Sequence, residues 1–325
     1  MSDAPRLPDP GDPHDPHDLH DLHDLDALHA AHVRRVAALD PLAGVPAPLR
    51  GEDARAVRAP DGRALALVDV VATDAGGTGA LWSEDRVGRL QLRLSGDEQP
   101  VEELADLLAR ACDLLPPDLA VQVTVASRDL VLTRPLLVAG FAATTTTAVR
   151  RVTTTDARQR PEVPEGLRVR PATGDDVEAL VAATLAVQAF DTRAGILPRR
   201  TGLEPVVRRE VEEAVADRSG WSWVAERDGA VVGVVRASPP EHSDWIATSV
   251  GQGPTAYLGL LHVDPAARGG GTGAALAATV HLRAAAAGVR TVALHHSATN
   301  PLSAPFWART GYRPVLTTWQ RQPRT

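Results

Sequence analysis

One order of secondary-structure elements occurs twice in this chain. Residues 62–152 and 230–321 both give two strands, a long helix, a strand, a short helix and a final strand. In both copies the short helix ends at a glycine followed by an aromatic residue, at Gly140-Phe141 and at Gly311-Tyr312. The second copy begins earlier, with a strand from Leu167 and two helices. We therefore predict two tandem copies of one α/β unit.

Local patterns support this division. Residues 88–95 alternate apolar and polar side chains, which is typical of a half-buried strand. Residues 101–115 have apolar positions at helical spacing, between Pro100 and the pair Pro116-Pro117. Asp228-Gly229 predicts a hairpin. Residues 153–166 are polar and rich in proline, and they indicate a linker between the units.

Composition excludes several classes of function. The chain has 325 residues, a net charge of −7 and a pI of about 5.9, which favours neither nucleic acid nor an anionic membrane as a partner. No apolar run approaches the ~20 residues of a membrane span. The N-terminus lacks the pattern of a secretory signal, and the single cysteine, Cys112, is expected to be a buried thiol. We expect a cytoplasmic protein.

The first 40 residues are predicted to form a tail and a leading helix. His14, His17, His20 and His23 recur every three residues, and each is followed by aspartate. Imidazole and carboxylate are ligands for transition metals, so loose metal binding is one reading. A solvated low-complexity segment is the other reading, and the absence of a rigid scaffold favours it. No specific metal site is predicted.

The residues that carry chemistry follow a strand ending at Val263. The chain reads Val-Asp-Pro-Ala-Ala-Arg-Gly-Gly-Gly-Thr-Gly-Ala over residues 263–274 and then enters a long helix. Glycines let a backbone approach a ligand closely, and the N-terminus of a helix attracts anions. Arg268 adds a cation. The segment therefore predicts a pyrophosphate site.

Two common nucleotide-binding folds do not fit this loop. A dinucleotide fold places G-x-G-x-x-G after its first strand, whereas Gly269, Gly271 and Ala274 match imperfectly and lie late in their unit. A phosphate-binding P-loop needs Gly-Lys-Ser/Thr, and the sequence contains no lysine.

Two motifs, in order, resemble the acetyl-CoA signature of the GCN5-related N-acetyltransferase (GNAT) superfamily. The first is Arg268-x-x-Gly271-x-Gly273, preceded by Val263-x-Pro265; the second is Asn300-x-x-Ser303-x-x-Phe306-Trp307-x-x-x-Gly311-Tyr312. The resemblance implies two GNAT-like units, each a mixed, mostly antiparallel sheet with helices on both faces. It implies a degenerate first domain at residues 41–155 and an acetyl-CoA-binding domain at residues 165–325.

The resemblance also implies which residues bind acetyl-CoA, with no metal required. The backbone of Leu261 and Val263 is expected to bind the pantetheine arm, and Asn300 to contact it. Asn300 is equally suited to cap the helix that follows it. The expected pyrophosphate site is Arg268, Gly269, Gly270, Gly271, Thr272, Gly273 and Ala274.

The implied reaction is direct attack of an amine on the thioester, which requires a base. The family often places its base six residues before Val263, where this chain has Tyr257. Strand alternation predicts that Tyr257, Leu261 and Val263 share one face and that His262 points to the other. Packing is the alternative role for Tyr257, because the reference pKa of tyrosine, ~10, is high for a base.

The second candidate catalytic residue is His296, at the end of the next strand. It is expected to bind the substrate or act as the base, since either His295 or His296 must face the cleft. Residues 239–245 form a polar loop with one aromatic, which either lines the acceptor site or is an ordinary surface loop. Trp307 stands where many family members have a tyrosine acid, so this chain departs from the family pattern.

The first copy is not expected to bind cofactor, since its corresponding loop, residues 95–100, carries Asp97 and Glu98 and lacks an arginine. The predicted function is acetyl transfer to an amine of a small molecule or peptide, with a homodimer compatible with the sequence. The alternative is a non-catalytic acyl-CoA-binding sensor, which the missing tyrosine and the missing strand carboxylate favour.

Overall fold

The computed structural model describes residues 22–49, 54–74, 77–158, 162–217 and 221–323. The tail histidines His14, His17 and His20, and the metal-binding reading that depends on them, lie outside these residues. The strands are β1 (Arg55–Arg58), β2 (Ala64–Ala72), β3 (Arg86–Leu94), β4 (Val121–Ala126), β5 (Ala142–Arg151), β6 (Leu167–Pro171), β7 (Ser222–Arg227), β8 (Ala230–Ser238), β9 (Thr255–Val263), β10 (Thr291–Ser297) and β11 (Arg313–Arg321). The helices are α1 (Leu22–Leu39), α2 (Val101–Asp113), α3 (Leu130–Val138), α4 (Thr154–Arg158), α5 (Val177–Arg193), α6 (Glu204–Ala216), α7 (Asp244–Ala247), α8 (Thr272–Ala286) and α9 (Ser303–Arg309).

All of these strands belong to one sheet. Its order is β1-β2-β3-β4-β11-β5-β10-β9-β8-β7-β6. Neighbouring strands are antiparallel except for two parallel pairs, β3 with β4 and β9 with β10. The two parallel pairs occupy corresponding places in the two units. The predicted fold class, two tandem units of mixed and mostly antiparallel sheet, is confirmed.

The two units exchange their last strands at the centre of the sheet. β5 ends the first unit but pairs with β10 of the second over seven residue pairs, from Thr291 opposite Arg151 to Ser297 opposite Thr145. β11 ends the second unit but pairs with β4 of the first. β5 and β11 also pair with each other. The hydrogen-bonded ladder therefore continues across both units without an edge between them.

The sequence predicted most elements to within a few residues. It missed β1, which has four residues, and α4, which lies in the predicted linker. It also missed α7, a single turn inside the predicted loop. All three are short, and periodicity carries little signal over so few residues.

Apolar layers cover both faces of the sheet in each unit. In the first unit α2 packs Leu104, Leu107 and Leu108 against the strands, and all three are buried. In the second unit α8 packs its alanines, Leu276 and Val280 in the same way. α5 and α6 cover the opposite face of the second unit. Each fully buried leucine contributes about 1.5–3 kcal/mol to the free energy of unfolding.

We predict that a fragment beginning at residue 162 does not remain soluble and monomeric. It lacks β4 and β5, so β10 and β11 both expose open edges at the centre of the sheet. A fragment beginning at Phe141 retains β5 and should give a severalfold higher soluble yield. Size-exclusion chromatography of both fragments is the measurement. A monomeric, cooperatively melting fragment from residue 162 would contradict the account.

Candidate functional site

Strands β9 and β10 separate part-way along their length. Their last parallel pair is Ala293 opposite Tyr257. β9 then continues to Val263 and β10 to Ser297, each still paired with its outer neighbour, β8 or β5. A gap therefore opens between the two strands, and the backbone groups on its sides have no strand partner within the described sheet.

The backbone of Leu261 and Val263 lines this gap. The N–H of Asp264 donates to the carbonyl of Val232 at 3.0 Å and so points towards β8. N–H groups alternate in direction along a strand, so those of Leu261 and Val263 point the other way, into the gap. An extended polar chain placed there would find donors spaced like those of an added strand.

The loop after β9 presents a row of backbone N–H groups. Gly269 and Gly271 have φ angles of +83° and +81°, a region that favours glycine. Across the described residues, the N–H groups from Gly269 to Ala274 donate to no protein acceptor, and no side chain caps α8. Free N–H groups at the N-terminus of a helix form an anion site.

Two of these glycines also have close neighbours where a Cβ would lie. A Cβ on Gly271 would lie 3.0 Å from Cγ of Pro164, in the linker. A Cβ on Gly273 would lie 3.2 Å from Cε2 of Phe306, on α9. The second sequence motif therefore packs against the first turn of α8, which explains physically why the two motifs occur together.

Two arginines flank the loop. Arg268 is exposed and donates from Nε to the carbonyl of Val263 at 3.0 Å. Arg227, the last residue of β7, places Nη2 3.8 Å from the position that a Cβ on Gly270 would take. The sequence analysis found Arg268 and missed Arg227, because only the fold brings the end of β7 beside the loop.

A β-bulge interrupts β9. Leu260 lies opposite Arg236 of β8, but Leu258 lies opposite the next residue, Ala237. Gly259 is therefore an extra residue in β9, with no partner in β8. A bulge of this kind shifts the following side chains to the other face of the sheet.

The bulge overturns the predicted faces of this strand. Leu261 and Val263 pack into the core beneath α8, whereas Tyr257 packs on the opposite face with Ala293. His262 lies opposite Val234, which belongs to the core beneath α5 and α6. The prediction that Tyr257 shares a face with Leu261 and Val263 is wrong. His262 does lie on the face opposite Leu261 and Val263, as predicted, but Tyr257 lies on that face as well. Simple alternation does not account for an inserted residue.

Three aromatic rings cluster where the gap opens. The Tyr257 hydroxyl and Nδ1 of His295 are 3.1 Å apart and hydrogen-bonded. The ring of Trp245, on α7, stacks on His295 at 5.9 Å between centroids and meets the Tyr257 ring edge-on at 4.7 Å. His296 lies on the other face of β10 from His295, and its Nδ1 donates to the carbonyl of Ser297 at 2.9 Å.

Burial sets the protonation of this cluster. It lowers the pKa of His295 to about 4, with a smaller contribution from neighbouring His296. Burial also raises the pKa of Tyr257 above its ordinary value. Near pH 7 the imidazole of His295 is therefore neutral and the Tyr257 hydroxyl keeps its proton. A neutral imidazole beside the gap is able to accept a proton.

The sequence also contains no sign of one half-buried carboxyl group. Asp191 lies near the end of α5, a helix that packs on the face of the sheet opposite α8. Burial raises the pKa of Asp191 to about 6. No motif marks this residue, and only its environment in the fold distinguishes it from the other aspartates.

The sequence of residues 195–312 matches the family model described as the acetyltransferase (GNAT) family. The match covers 118 of the 325 residues, all in the second half of the chain, and this part is similar to GNAT acetyltransferases. No curated protein has a sequence that matches the chain.

Three solved structures are similar to this chain over most of its length. An N-acetyltransferase from Sphaerobacter thermophilus is 19% identical, with a TM-score of 0.55 over 85% of this chain and 82% of its own. A GNAT acetyltransferase from Colwellia psychrerythraea is 15% identical, with a TM-score of 0.47 over 93% and 97%. A tandem GNAT protein from the clavulanic acid biosynthesis pathway is 16% identical, with a TM-score of 0.46 over 94% and 97%. At 19% identity the likeness to the first of these structures shows the fold alone.

The second GNAT motif has mainly structural contacts. Oδ1 of Asn300 accepts from the N–H groups of Leu302 and Ser303, at 3.0 and 3.2 Å, and so caps α9. Trp307 is buried in the core, with its ring edge-on to that of Tyr312 at 5.2 Å. The side chain that replaces the family tyrosine is thus part of the packing between α9 and the sheet.

The first unit has a comparable gap, and α1 occupies it. β3 and β4 pair in parallel only as far as Leu90 opposite Val123. Further along, the N–H of Leu94 donates to Nδ1 of His32 at 3.2 Å. Burial lowers the pKa of His32 to about 3, so the ring is neutral and able to accept this bond.

An arginine of the same helix completes this closure. Arg35 makes two bonds to the buried carboxylate of Asp129, at 2.5 and 2.6 Å, and a third to Asp97 at 2.5 Å. Asp97 is one of the two acidic residues in the loop that corresponds to the glycine loop. Side chains of α1 therefore hold the groups that face the gap in this unit.

Two further properties concern the described part of the chain. No group of three or more histidine, cysteine or acidic side chains there has the arrangement of a metal site. No helix in that part combines the length and the apolar character needed to cross a bilayer.

We predict that Asp191→Asn stabilises the fold at neutral pH and not at acid pH. Burial raises the pKa of Asp191 from 3.8 to about 6, so the folded state holds the proton more tightly than the unfolded state. Ionisation therefore destabilises the wild type progressively as pH rises through this interval. The variant should melt about 1–3 °C higher at pH 7.5, because the group is half-buried and its effect partly screened.

Thermal unfolding of wild type and Asp191→Asn from pH 3.5 to 8 measures this difference. The two melting temperatures should converge below pH 4, where the wild-type carboxyl is protonated in both states. A difference that does not change with pH would contradict the assigned burial effect.

Proposed function

We propose that the second unit binds acetyl-CoA and transfers the acetyl group to an amine of a small molecule or peptide. The observation that carries the proposal is the direct continuity of β9 with the glycine loop. The open edge of β9 offers donors to an extended chain, and the loop that follows offers donors to an anion. Acetyl-CoA has both parts in this order.

The donor groups fit the parts of acetyl-CoA. The N–H groups from Gly269 to Ala274, with Arg268 and Arg227 on either side, suit a doubly charged pyrophosphate. The N–H groups of Leu261 and Val263 suit the amides of pantetheine. Oδ1 of Asn300 already caps α9, so only its amide nitrogen remains to contact the cofactor.

Acetyl-CoA would supply a thioester whose carbonyl carbon accepts the amine, and the chain must take up the proton of the amine. We assign this role to His295, which is neutral near pH 7 and lies beside the gap. In the tautomer with the proton on Nδ1, that N–H donates to the Tyr257 hydroxyl, which fixes the ring and leaves Nε2 free. Nε2 would take up the proton of the amine as the C–N bond forms, the C–S bond breaks and CoA leaves as the thiolate. Tyr257 thus acts through His295 rather than as the base itself.

His296 remains the competing base. Its Nδ1 donates to a backbone carbonyl, so its Nε2 is able to accept a proton. However, His296 lies on the face of β10 that α8 covers, away from Trp245 and Tyr257. The shared face of His295, Trp245 and Tyr257 favours His295 for contact with the acceptor.

A non-catalytic acyl-CoA-binding sensor is the second candidate. It is favoured by the buried Trp307, since the family tyrosine that protonates the leaving thiolate has no counterpart at this position. The same cofactor site serves both functions. Only detection of an acetylated amine separates them.

We also propose a division of roles along the chain. Residues 1–40 form the tail and α1, residues 41–155 a degenerate domain, and residues 165–325 the acetyl-CoA-binding domain. The closure of the first gap by His32 and Arg35 supports a first unit that does not bind the cofactor. β5 belongs to the first unit in sequence but pairs with strands of the second.

We predict that the intact protein releases CoA thiol from acetyl-CoA in the presence of at least one cationic amine. A suitable panel contains a polyamine, an aminoglycoside, an amino sugar and a peptide with a free N-terminus, with products identified by mass spectrometry. His295→Gln should lower kcat by about 10²-fold, the lower range for loss of a general base, and leave the KM for acetyl-CoA unchanged. His296→Gln, measured alongside, should have a smaller effect.

Each outcome has a distinct meaning. A larger loss in His296→Gln would return the role of base to His296. Acetyl-CoA binding without acetylation of any amine in the panel would favour the sensor.

A further inference from the structure

The aromatic cluster includes Trp245, and the short helix that carries this residue is not stable by itself. Trp245 is 58% exposed, although it is the largest type of apolar side chain. It is carried by α7, a four-residue turn between Ser243 and Thr248. So short a helix has almost no internal stabilisation. Another segment of the protein must therefore fix the position of the tryptophan ring over His295.

The segment that fixes it belongs to the first unit of the same protein. The segment from Asp40 to Gly44, here called the strap, follows α1 and runs along residues 249–251. The N–H of Gly44 donates to the carbonyl of Ser249 at 3.1 Å, and the N–H of Gly251 donates to the carbonyl of Leu42 at 2.9 Å. Ala43 and Val250 form an antiparallel bridge between these bonds.

The contact between the strap and this loop leaves no room for side chains. A Cβ on Gly44 would lie 2.2 Å from the carbonyl oxygen of Thr248, and a Cβ on Gly251 would lie 2.4 Å from that of Pro41. Real Cβ atoms do not approach backbone so closely, so either substitution must displace one of the two segments. Neither glycine has a positive φ, and space alone requires them.

The start of the strap is anchored to the centre of the sheet. Asp40 is fully buried, and both carboxylate oxygens accept from the guanidinium of Arg313 on β11. One of them also accepts from the N–H of Leu42 at 2.9 Å. Burial alone raises the pKa of Asp40, but these bonds, with the charge of Arg128, keep it below its ordinary value. The anchor is therefore ionised at neutral pH.

Apolar packing connects the strap to the cluster. Leu42 and Ala43 share one buried core with Ile246 and Val250, which both follow Trp245 in the chain. Tyr257 packs against this core from the sheet. A displaced strap therefore changes the support under both Trp245 and Tyr257.

We propose that the strap is a positioning element for the acceptor side of the GNAT cleft, acting through Trp245 and Tyr257 on His295. The inference rests on the proposed acetyl transfer for its functional meaning. It gives the first unit a role in the site that requires no cofactor of its own. Gly44 and Asp40 are the residues through which this role is exerted.

Gly44→Ala is the direct test, and Gly96→Ala is the matched control. A Cβ on Gly96 meets nothing within 4 Å, and its φ is not positive. Calorimetry with acetyl-CoA should give the same Kd for both variants and wild type. With an amine that the wild type acetylates, Gly44→Ala should raise the acceptor KM by about 10–100-fold, a range typical of misplaced groups.

A second readout requires no acceptor. Carbon-13 NMR of labelled histidines, with His295 assigned through His295→Gln, gives the pKa of that ring. In wild type it should be near 4, and in Gly44→Ala it should rise towards the ordinary histidine pKa of about 6.5, because a displaced loop exposes the ring. Gly96→Ala should match wild type.

The strap has no positioning role if Gly44→Ala binds acetyl-CoA normally and leaves the His295 pKa and the acceptor KM unchanged. If Gly44→Ala does not fold, Asp40→Asn, which weakens the anchor without adding volume, decides the question by the same readouts. Failure to acetylate any amine would contradict the proposed function. The NMR result would still support or contradict the positioning role of the strap.

Discussion

The backbone hydrogen bonds between β5 and β10 hold the rest of the structure in place. They join the last strand of the first unit to the strand of the second that borders the gap. Because β10 is paired on this side along its whole length, it can leave β9 after Ala293 without exposing a second open edge. The gap is therefore a consequence of how the two units share strands.

The gaps in the two units are comparable, but the groups that face them differ. In the second, the loop after β9 has free N–H groups and flanking arginines, which suits an anionic ligand from solution. In the first, Asp97 and Asp129 bind Arg35 of α1, and His32 satisfies an edge N–H. The same helix leads into the strap that contacts the loop of Trp245. The helix that fills the gap of the first unit and the strap that supports the second unit are therefore continuous along the chain.

The sequence was sufficient for the repeated units, the glycine loop and most element boundaries, because these depend on local periodicity and on motifs of adjacent residues. It was not sufficient for the exchange of β5 and β11, since alternation indicates a strand without indicating its partner. It also misplaced Tyr257 relative to Leu261 and Val263, because a bulge inserts one residue at Gly259 without changing the apolar pattern. The position of Arg227 beside the loop and the burial of Asp191 depend on tertiary contacts, as does the hydrogen bond between His295 and Tyr257. Spacing along the sequence carries no signal for such contacts.

The central claim is that acetyl-CoA binds one site per chain, at the loop of Arg268. Calorimetric titration of acetyl-CoA into the intact protein and into Arg268→Ala tests it, with S-acetylpantetheine, which lacks the pyrophosphate, as the matched ligand. The account predicts one site, with the Kd for acetyl-CoA raised about 10–100-fold in the variant by loss of a charged contact, and no change for S-acetylpantetheine. Two sites per chain, or equal acetyl-CoA affinity in wild type and Arg268→Ala, would contradict it.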